Sequence, residues 1–246
     1  MRFLRLSIPV VAFLAAWEVA SRSGAVSPVL FPPPSRVFAT LFSLTASGQL
    51  ITDALASYRR LIVGLSFGSA VGVLVGLFTG RVKRIADALV PLIHLFRPLP
   101  PVAIIPLIIV WFGIGEPAKY FSIAFAVFFP VWLNTHLGAQ QIPEKIMWCA
   151  STLTRSRLRK LRSVVFPAAL PFIVAGLRVG LALSFTMVFV SELMGSSEGI
   201  GYEIHISQLA YRIDRMMASL ALLGASGFLA DFLFTKGIGL LSEKCN

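Results

Sequence analysis

The sequence has few charged residues. Asp, Glu, Lys and Arg make up 13% of its 246 residues, whereas hydrophobic residues make up 57%, and the mean hydropathy is +0.83. A soluble domain of this length would lack the polar side chains needed to cover its surface, so that class is excluded. The length instead fits about six membrane spans of roughly 20 residues each, joined by loops.

Acidic residues are scarcer than basic ones. There are 11 acidic against 22 basic residues, which gives a net charge of +11. The cations lie in short segments between apolar runs, where membrane orientation and anionic lipid headgroups account for them. The placement of the cations therefore predicts that the partner is membrane lipid and that the chain binds no nucleic acid.

Residues that carry chemistry are also rare. The two cysteines, Cys149 and Cys245, both fall on predicted cytoplasmic segments, so no disulfide framework is expected. The three histidines, His94, His136 and His205, are scattered and predict no metal site. The chain has no glycine-rich phosphate loop ending in Lys-Ser or Lys-Thr. We therefore expect neither ATP hydrolysis nor a bound cofactor in this chain.

Long apolar runs predict an all-α polytopic membrane protein. The first stretch, Met1 to Ala20, has Arg2 and Arg5 ahead of an apolar run and is either a cleaved signal peptide or a first span. Glu18 and the lack of a clean cleavage site favour a span with a cytoplasmic N-terminus. The C-terminus is then also cytoplasmic. The other predicted spans lie within Ser57–Gly80, Ile85–Phe112, Tyr120–Leu137, Ala168–Met194 and Arg212–Ile238.

The second span carries glycines at strict four-residue spacing. On a helix they form one ridge, which lets the backbone of another helix approach closely. The pattern predicts tight packing and says nothing of a substrate. Its members are Gly64, Gly68, Gly72, Gly76 and Gly80.

Three charged residues lie in or near apolar runs and are candidates for a translocation pathway. Arg97 begins an Arg-Pro-Leu-Pro-Pro break, which is either a broken helix beside a pathway or a simple kink with a snorkelling arginine. Arg178 lies inside the fifth span, with Glu192 near its outer end as a possible partner. Cations in a low-dielectric passage would guide an anion, although packing is the alternative role.

The longest polar stretch runs from Gln140 to Pro171. It has five cations within Arg155–Arg162, which the positive-inside rule puts on the cytoplasmic face. We predict two short helices there, Glu144–Leu153 and Ser156–Val165, with the second ending before Pro167. Such a pair forms a firm projection suited to a protein partner.

This stretch resembles the coupling loop of bacterial ABC importer permeases, which has the pattern E-A-A-x3-G-x9-I-x-L-P. The expected coupling loop comprises residues 140–167. Seven of its positions align with the motif and are the expected ATPase-coupling residues. Four match the pattern or are similar to it: Ala150, Val164, Phe166 and Pro167. Three replace the glutamate, the first alanine and the glycine: Trp148, Cys149 and Thr154.

The resemblance extends over nearly the whole chain, to the permeases of nitrate, sulfonate, taurine and bicarbonate ABC importers. It implies the type I importer permease fold, one transmembrane permease domain over 1–246, and a bacterial inner membrane. The segments that carry it are Pro32–Val37, Ser57–Gly80, Arg97–Glu116, Phe129–Thr135, Phe166–Phe185 and Gly199–Tyr202.

The resemblance also implies partners. A second permease copy, identical or paralogous, would pair with this one. A cytoplasmic ABC ATPase would hold ATP and Mg²⁺, and an external solute-binding protein would deliver a small anion. The rival interpretations are a secondary transporter or channel for a small anion without an ATPase, and a membrane-embedded enzyme. The first needs coupling acids or an inverted repeat, and the second needs a catalytic grouping within the spans; we find neither pattern.

Overall fold

The computed structural model describes residues 2–24 and 27–243, with side chains for 8–24 and 27–238. All regular elements in these ranges are helices, which confirms the all-α prediction. A π-helical turn, Leu161–Val165, joins α8 to α9. The helices are α1 Arg2–Arg22, α2 Pro34–Ala46, α3 Gln49–Arg81, α4 Lys83–Phe96, α5 Pro101–Phe112, α6 Glu116–Gln140, α7 Glu144–Leu153, α8 Arg157–Lys160, α9 Phe166–Leu193, α10 Ile200–Leu209 and α11 Ile213–Glu243.

The helices belong to two compact units. The first comprises Met1–Ser57 and Ser196–Ser226, and the second comprises Tyr58–Gly195 and Gly227–Asn246. The second unit contains most of the apolar core and all of the predicted pathway and coupling residues. The prediction of a single transmembrane domain over 1–246 stays a prediction.

Four helical stretches in the described chain are long and apolar enough to cross a membrane: residues 49–81, 116–140, 157–193 and 213–238. The pair α4 and α5 would add a fifth span, bent by 100°. The first predicted span, Met1 to Ala20, forms α1, but the side chains of Arg2 and Arg5 lie outside the described residues, as does Cys245. This first span therefore stays a prediction.

The bend between α4 and α5 confirms the predicted broken helix. Its cause is the run of prolines, which lack the N–H that continues a helical ladder. Pro100 is extended, with φ −60° and ψ 125°, and Pro101 begins α5. Arg97 lies in the break and is exposed. Whether the break borders a pathway stays a prediction.

The glycine ridge of α3 packs directly against α6, as predicted. A Cβ atom on Gly68 would lie 2.5 Å from the carbonyl oxygen of Ala124, and one on Gly76 would lie 2.6 Å from Cβ of Thr135. Gly64, Gly72 and Gly80 meet α6 at similarly short distances. Carbon atoms in contact are normally about 3.5–4.0 Å apart, so no larger residue fits along this line.

Helix α6 is also packed closely against α9. A Cβ atom on Gly176 would lie 3.1 Å from the carbonyl oxygen of Pro130, and one on Gly138 would lie 2.5 Å from Cβ of Phe172. Helix α6 therefore lies between α3 and α9, and its Val127 and Val131 are fully buried. The main core cluster collects around it from α3, α5, α6 and α9.

The predicted end of a helix before Pro167 is wrong. Residues 157–193 form one continuous helical stretch through Pro167. The π-helical turn immediately before it, Leu161–Val165, is the physical reason. A π turn changes the hydrogen-bond register within a helix. The proline ring therefore avoids the clash with the backbone carbonyl four residues earlier that a regular α-helix would cause.

The ridge gives the first testable prediction. Gly68→Ala should lower the unfolding free energy by about 2 kcal/mol, because its Cβ meets backbone rather than a flexible side chain. Gly224→Ala is the matched control, since nothing lies within 4 Å of a Cβ there. That change should be neutral or slightly stabilising, because alanine favours helix over glycine. The measurement is thermal unfolding in detergent, and equal melting temperatures for the two variants would refute close packing at the ridge.

Candidate functional site

The candidate coupling segment is α7 with α8, and α7 begins and ends at the predicted residues. One face of α7 is held by the protein: Ala150 is buried and Met147 is half-buried. Two large apolar side chains of α7 are exposed: Trp148 on the opposite face and Leu153 at the end of the helix, at 65% and 86% accessibility. Large apolar side chains this exposed on a short surface helix indicate a contact surface for another protein.

The seven predicted coupling residues do not form one surface. Trp148, Cys149, Phe166 and Pro167 are exposed, Thr154 and Val164 are half-buried, and Ala150 is buried. Leu153 was missed by the motif alignment, although its accessibility of 86% exceeds the 65% of Trp148 and the 40% of Phe166. Helical spacing offered no signal for it, because Leu153 lies three residues after the buried Ala150, which puts the two on neighbouring parts of the helix surface.

Thr154, at the position of the motif's glycine, has an ordinary backbone. Its φ of −153° and ψ of 138° are extended values that any residue adopts. The left-handed conformation that favours glycine is not required here. The replacement of glycine by threonine is therefore compatible with the local fold.

Side-chain hydrogen bonds hold α7 and α8 together. Ser156 caps α8, since its Oγ accepts from the Arg159 N–H at 3.3 Å. The Ser156 N–H donates to Thr154 Oγ1 at 3.2 Å. Lys160 Nζ donates to Ser151 Oγ at 2.7 Å, which joins the two helices. The Lys160–Ser151 hydrogen bond thus ties α7 to the beginning of the long helical stretch 157–193, and the predicted pair of short helices is replaced by one short helix and that stretch.

The intramembrane Arg178 has a partner, which is Asp231 of α11. Arg178 Nε donates to Asp231 Oδ1 at 2.7 Å, and Nη2 donates to Oδ2 at 2.8 Å. Both side chains are about half exposed on the surface of the chain. A bidentate pair of this kind orients both groups and neutralises their charge locally. Since charges within a span usually face a cavity or a partner, this surface is not expected to face lipid.

Glu192, which the sequence offered as a partner for Arg178, instead pairs with Arg60. Arg60 Nη1 donates to Glu192 Oε1 at 2.8 Å, and both side chains are about 1% exposed or less. Arg60 Nη2 also donates to Glu116 Oε1 at 2.7 Å. Lys119 Nζ donates to the same oxygen at 3.0 Å. The role of Glu192 in a pathway stays a prediction.

This buried charge cluster was missed from the sequence, although a signal was present. Arg60 lies four residues before Gly64, on the same line of α3 that faces α6. A charge on the packed face of a span needs partners, because an uncompensated charge there is costly. The identity of those partners, Glu116 and Glu192, depended on which helix ends meet.

The histidines of the second unit make packing and polar contacts. His136 Nδ1 lies 2.9 Å from Thr79 Oγ1, and the same oxygen accepts from Trp132 Nε1 at 3.1 Å. His94 packs edge-on against Trp132. Among the residues with described side chains, no His, Cys, Asp and Glu group has the arrangement of a metal site.

In the first unit, α10 is fastened to the beginning of α3. The Gly199 N–H donates to Asp53 Oδ1 at 2.8 Å, and the Ile200 N–H donates to Ser57 Oγ at 2.9 Å. Burial raises the pKa of the Glu203 carboxyl above its ordinary value. Gln49 Nε2 donates to Glu203 Oε2 at 2.9 Å. These contacts give the glycine-containing segment at Gly199–Tyr202 a defined structure.

Comparison with known proteins identifies the family. Residues 68–237 match the model of the binding-protein-dependent transport system inner membrane component. This chain belongs to that family. It is a multi-pass inner-membrane permease, and its relatives are transport permeases rather than enzymes.

Relatives of this permease match along nearly its full length. It is 33% identical to the putative aliphatic sulfonates transport permease protein of Bacillus subtilis, over 92% of this chain and 82% of the relative. It is 32% identical to the taurine transport system permease protein of Escherichia coli, over 94% and 86%. It is 29% identical to the nitrate import permease protein of Synechocystis, over 94% and 86%.

Solved structures show the permease fold. The inward-facing MetNI methionine ABC transporter matches with a TM-score of 0.67 and 19% identity, over 80% of this chain and 97% of that chain. An amino acid ABC transporter with histidines matches with a TM-score of 0.63 and 17% identity, over 83% and 97%. The type I importer permease fold predicted from the sequence is therefore confirmed.

The buried charge cluster of the permease yields the second prediction. Arg60→Leu should lower the unfolding free energy by about 3 kcal/mol or more, because Glu192 would remain buried without its arginine. Arg59→Leu is the control: Arg59 is mostly exposed and makes one 3.3 Å contact to Glu116, so its loss should cost under about 1 kcal/mol.

A double variant tests the pairing itself. Arg60→Leu combined with Glu192→Leu should cost less than the sum of the two single changes, since the pair is removed together. The free energy of unfolding in detergent is measured for the parent chain, the two single variants and the double variant, together with the Arg59→Leu control. Additive costs, or a mild effect of Arg60→Leu equal to that of Arg59→Leu, would show that the cluster does not stabilise the fold.

Proposed function

We propose that this permease imports a small anion of the sulfonate or nitrate type. The observation that carries the proposal is the set of relatives, which are permeases for aliphatic sulfonates, taurine and nitrate. Sulfonates and nitrate are anions, and taurine bears a sulfonate group. The intramembrane Arg178 supplies a cation on a half-exposed surface of the chain, which suits such a solute.

The assembly we infer has three kinds of component. Two permease subunits pair, with the surface around Arg178 and Asp231 turned towards the partner subunit or the passage between them. An external solute-binding protein delivers the anion, in keeping with a binding-protein-dependent family. A cytoplasmic ATPase holds ATP and Mg²⁺, because this chain has no phosphate loop of its own.

The ATPase docks on α7 in this proposal. The exposed Trp148 and Leu153 are its apolar contacts, and the exposed arginines of the 155–162 segment surround them. Under the positive-inside rule this segment and both chain termini lie in the cytoplasm. Exposed apolar side chains surrounded by polar ones are typical of protein interfaces.

Movement of the ATPase would reach the spans through α8 and α9. The Lys160–Ser151 hydrogen bond links α7 to α8, and α8 continues through the π-helical turn into α9. Helix α9 carries Arg178 to its pair with Asp231 of α11. Closure of the ATPases on ATP would thus change the access of the anion to Arg178 from one side of the membrane to the other.

The docking surface gives a third prediction. Leu153→Glu should reduce co-purification of the ATPase at least about tenfold, since a charge replaces a buried apolar contact. Leu209→Glu is the matched control, because Leu209 is also an exposed leucine at the end of a short helix. It should leave the ATPase bound. The control excludes a general effect of adding an acid.

Ala150→Glu is not suited to this test, because Ala150 is buried and the change would disturb packing of α7 itself. Membrane levels of both leucine variants are compared by immunoblot. If Leu153→Glu and the parent chain retain the ATPase equally, α7 is not the docking helix, whereas the family assignment is unaffected.

The fourth prediction concerns the Arg178–Asp231 pair. Arg178→Leu should reduce anion uptake at least about tenfold, because the cation that guides the anion is lost. Asp231→Asn should retain uptake, since the cation stays in place. The measurement is uptake of labelled taurine, an alkanesulfonate and nitrate by cells that contain the complete importer.

A double variant separates guidance from packing. Arg178→Leu with Asp231→Leu removes both charges, so a guiding arginine predicts that uptake remains low. If the double variant recovers parental uptake, the pair serves packing only. Equal membrane levels and equal ATPase association are the required controls.

A further inference from the structure

A groove of about 820 Å³ lies where the end of α3 and the beginning of α4 meet α7 and α8. Small-molecule sites in proteins typically have volumes of about 300–1,000 Å³. The groove is separate from the Arg178–Asp231 pair, and the exposed apolar residues Trp148 and Leu153 of α7 do not line it. The proposed transport function gives this groove no role.

Five cations line this groove, and no carboxylate does. They are Arg81, Lys83, Arg84, Arg157 and Lys160. In the part of the chain with described side chains, none of the five takes part in an ion pair. Like charges around one cavity repel each other, so an anion within it would be stabilised.

The two acids nearest to these cations in the sequence form no ion pair with them, although the charge of Glu144 acts on Arg81 at longer range. Asp87 follows Arg84 by three residues, and Glu144 begins α7. Neither lines the groove. An anion from outside the chain is therefore the complement that the groove lacks.

Arg81 adds an observation that is independent of net charge. Its Nη2 donates to the Ile142 carbonyl at 3.3 Å. Its Nε is buried and has no acceptor among the described residues. Leaving a buried donor unsatisfied costs free energy, and the cost is larger for a charged group. A phosphate oxygen is a suitable acceptor, because guanidinium groups bind phosphate in bidentate fashion.

The remaining wall of the groove is apolar and joins the membrane spans. Phe78 and Val82 come from the end of α3 and the residue after it, and Leu161 and Val165 come from the π-helical turn. The spans 49–81 and 157–193 both have an end here. Each stretch is longer than the roughly 20 residues that cross the hydrocarbon core, and its end at the groove carries cations, which favours the headgroup region.

We propose that this groove binds the phosphate headgroup of an anionic phospholipid, with the upper part of an acyl chain against its apolar wall. Basic pockets at the ends of membrane helices bind anionic headgroups in this way. The bound phosphate lies among Arg81, Arg84 and Arg157, and it links the α3–α4 corner to α8. An acidic peptide offers the charge but no chain for the apolar wall.

The test compares two charge-matched triple variants of the full chain, purified in a nonionic detergent. The groove variant is Lys83→Gln, Arg84→Gln and Arg157→Gln. The control variant is Arg155→Gln, Arg159→Gln and Arg162→Gln, whose arginines are exposed on the same segment but do not line the groove. Each lowers the net charge of +11 by three.

Bound phosphatidylglycerol is counted by native mass spectrometry during titration, with phosphatidylcholine of the same acyl chains as the uncharged comparison. The parent chain should prefer phosphatidylglycerol. The groove variant should bind it at least about tenfold more weakly, and the control variant should lose less than about threefold. Circular dichroism checks that helix content is unchanged. If a triple variant does not reach the membrane, Arg157→Gln against Arg159→Gln makes the same comparison.

Several outcomes would overturn the proposal. Equal losses in the two triple variants would mean that binding follows net charge alone. Equal binding of phosphatidylglycerol and phosphatidylcholine would show that the groove does not recognise an anionic headgroup. Binding of inorganic phosphate with the same dependence on the variants would assign the groove to a soluble anion. If the groove variant lost the ATPase and kept its lipid affinity, the groove would be a protein contact. None of these results depends on which solute is imported.

Discussion

Close backbone contact between α3 and α6 is the constraint on which the second unit depends. In a lipid environment no hydrophobic force drives helices together, so their association relies on packing and polar contacts. The glycines of α3 let the backbone of α6 approach to a distance that no Cβ permits. Arg60 continues the same line beyond the ridge. It reaches Glu116, the first residue of α6, where an acid also interacts favourably with the helix dipole.

The second packed face of α6 carries this constraint to the coupling segment. Gly138 of α6 lies against Phe172 of α9, and α7 follows α6 after a three-residue link. Helices α6 and α9 therefore flank α7 and α8 in the chain and touch each other directly. A displacement of α7 would be passed on to α9, because the Lys160–Ser151 hydrogen bond ties α7 to the continuous helical stretch 157–193.

Local chemistry decided which features the sequence could predict. The glycine spacing, the proline break after Phe96 and the bounds of α7 each follow from residues adjacent in the chain or on one helix face. The pairing of Arg178 with Asp231, and of Arg60 with Glu192, depends instead on which helices are neighbours and how each is rotated. No spacing within one helix contains that information. The burial of Ala150 and the π-helical turn before Pro167 arise from tertiary packing for the same reason.

The backbone conformation and exposure of the replaced residues explain the departures from the coupling motif. The motif's glycine is replaced by Thr154, whose backbone is extended and needs no glycine. The motif's glutamate is replaced by Trp148, which is exposed and apolar. Rigidity of the segment comes from Ser151, Ser156 and Lys160, none of which belongs to the motif. Its shape therefore rests on the Lys160–Ser151 hydrogen bond between α7 and α8 and on the Ser156 cap of α8, while Trp148 and Leu153 stay exposed.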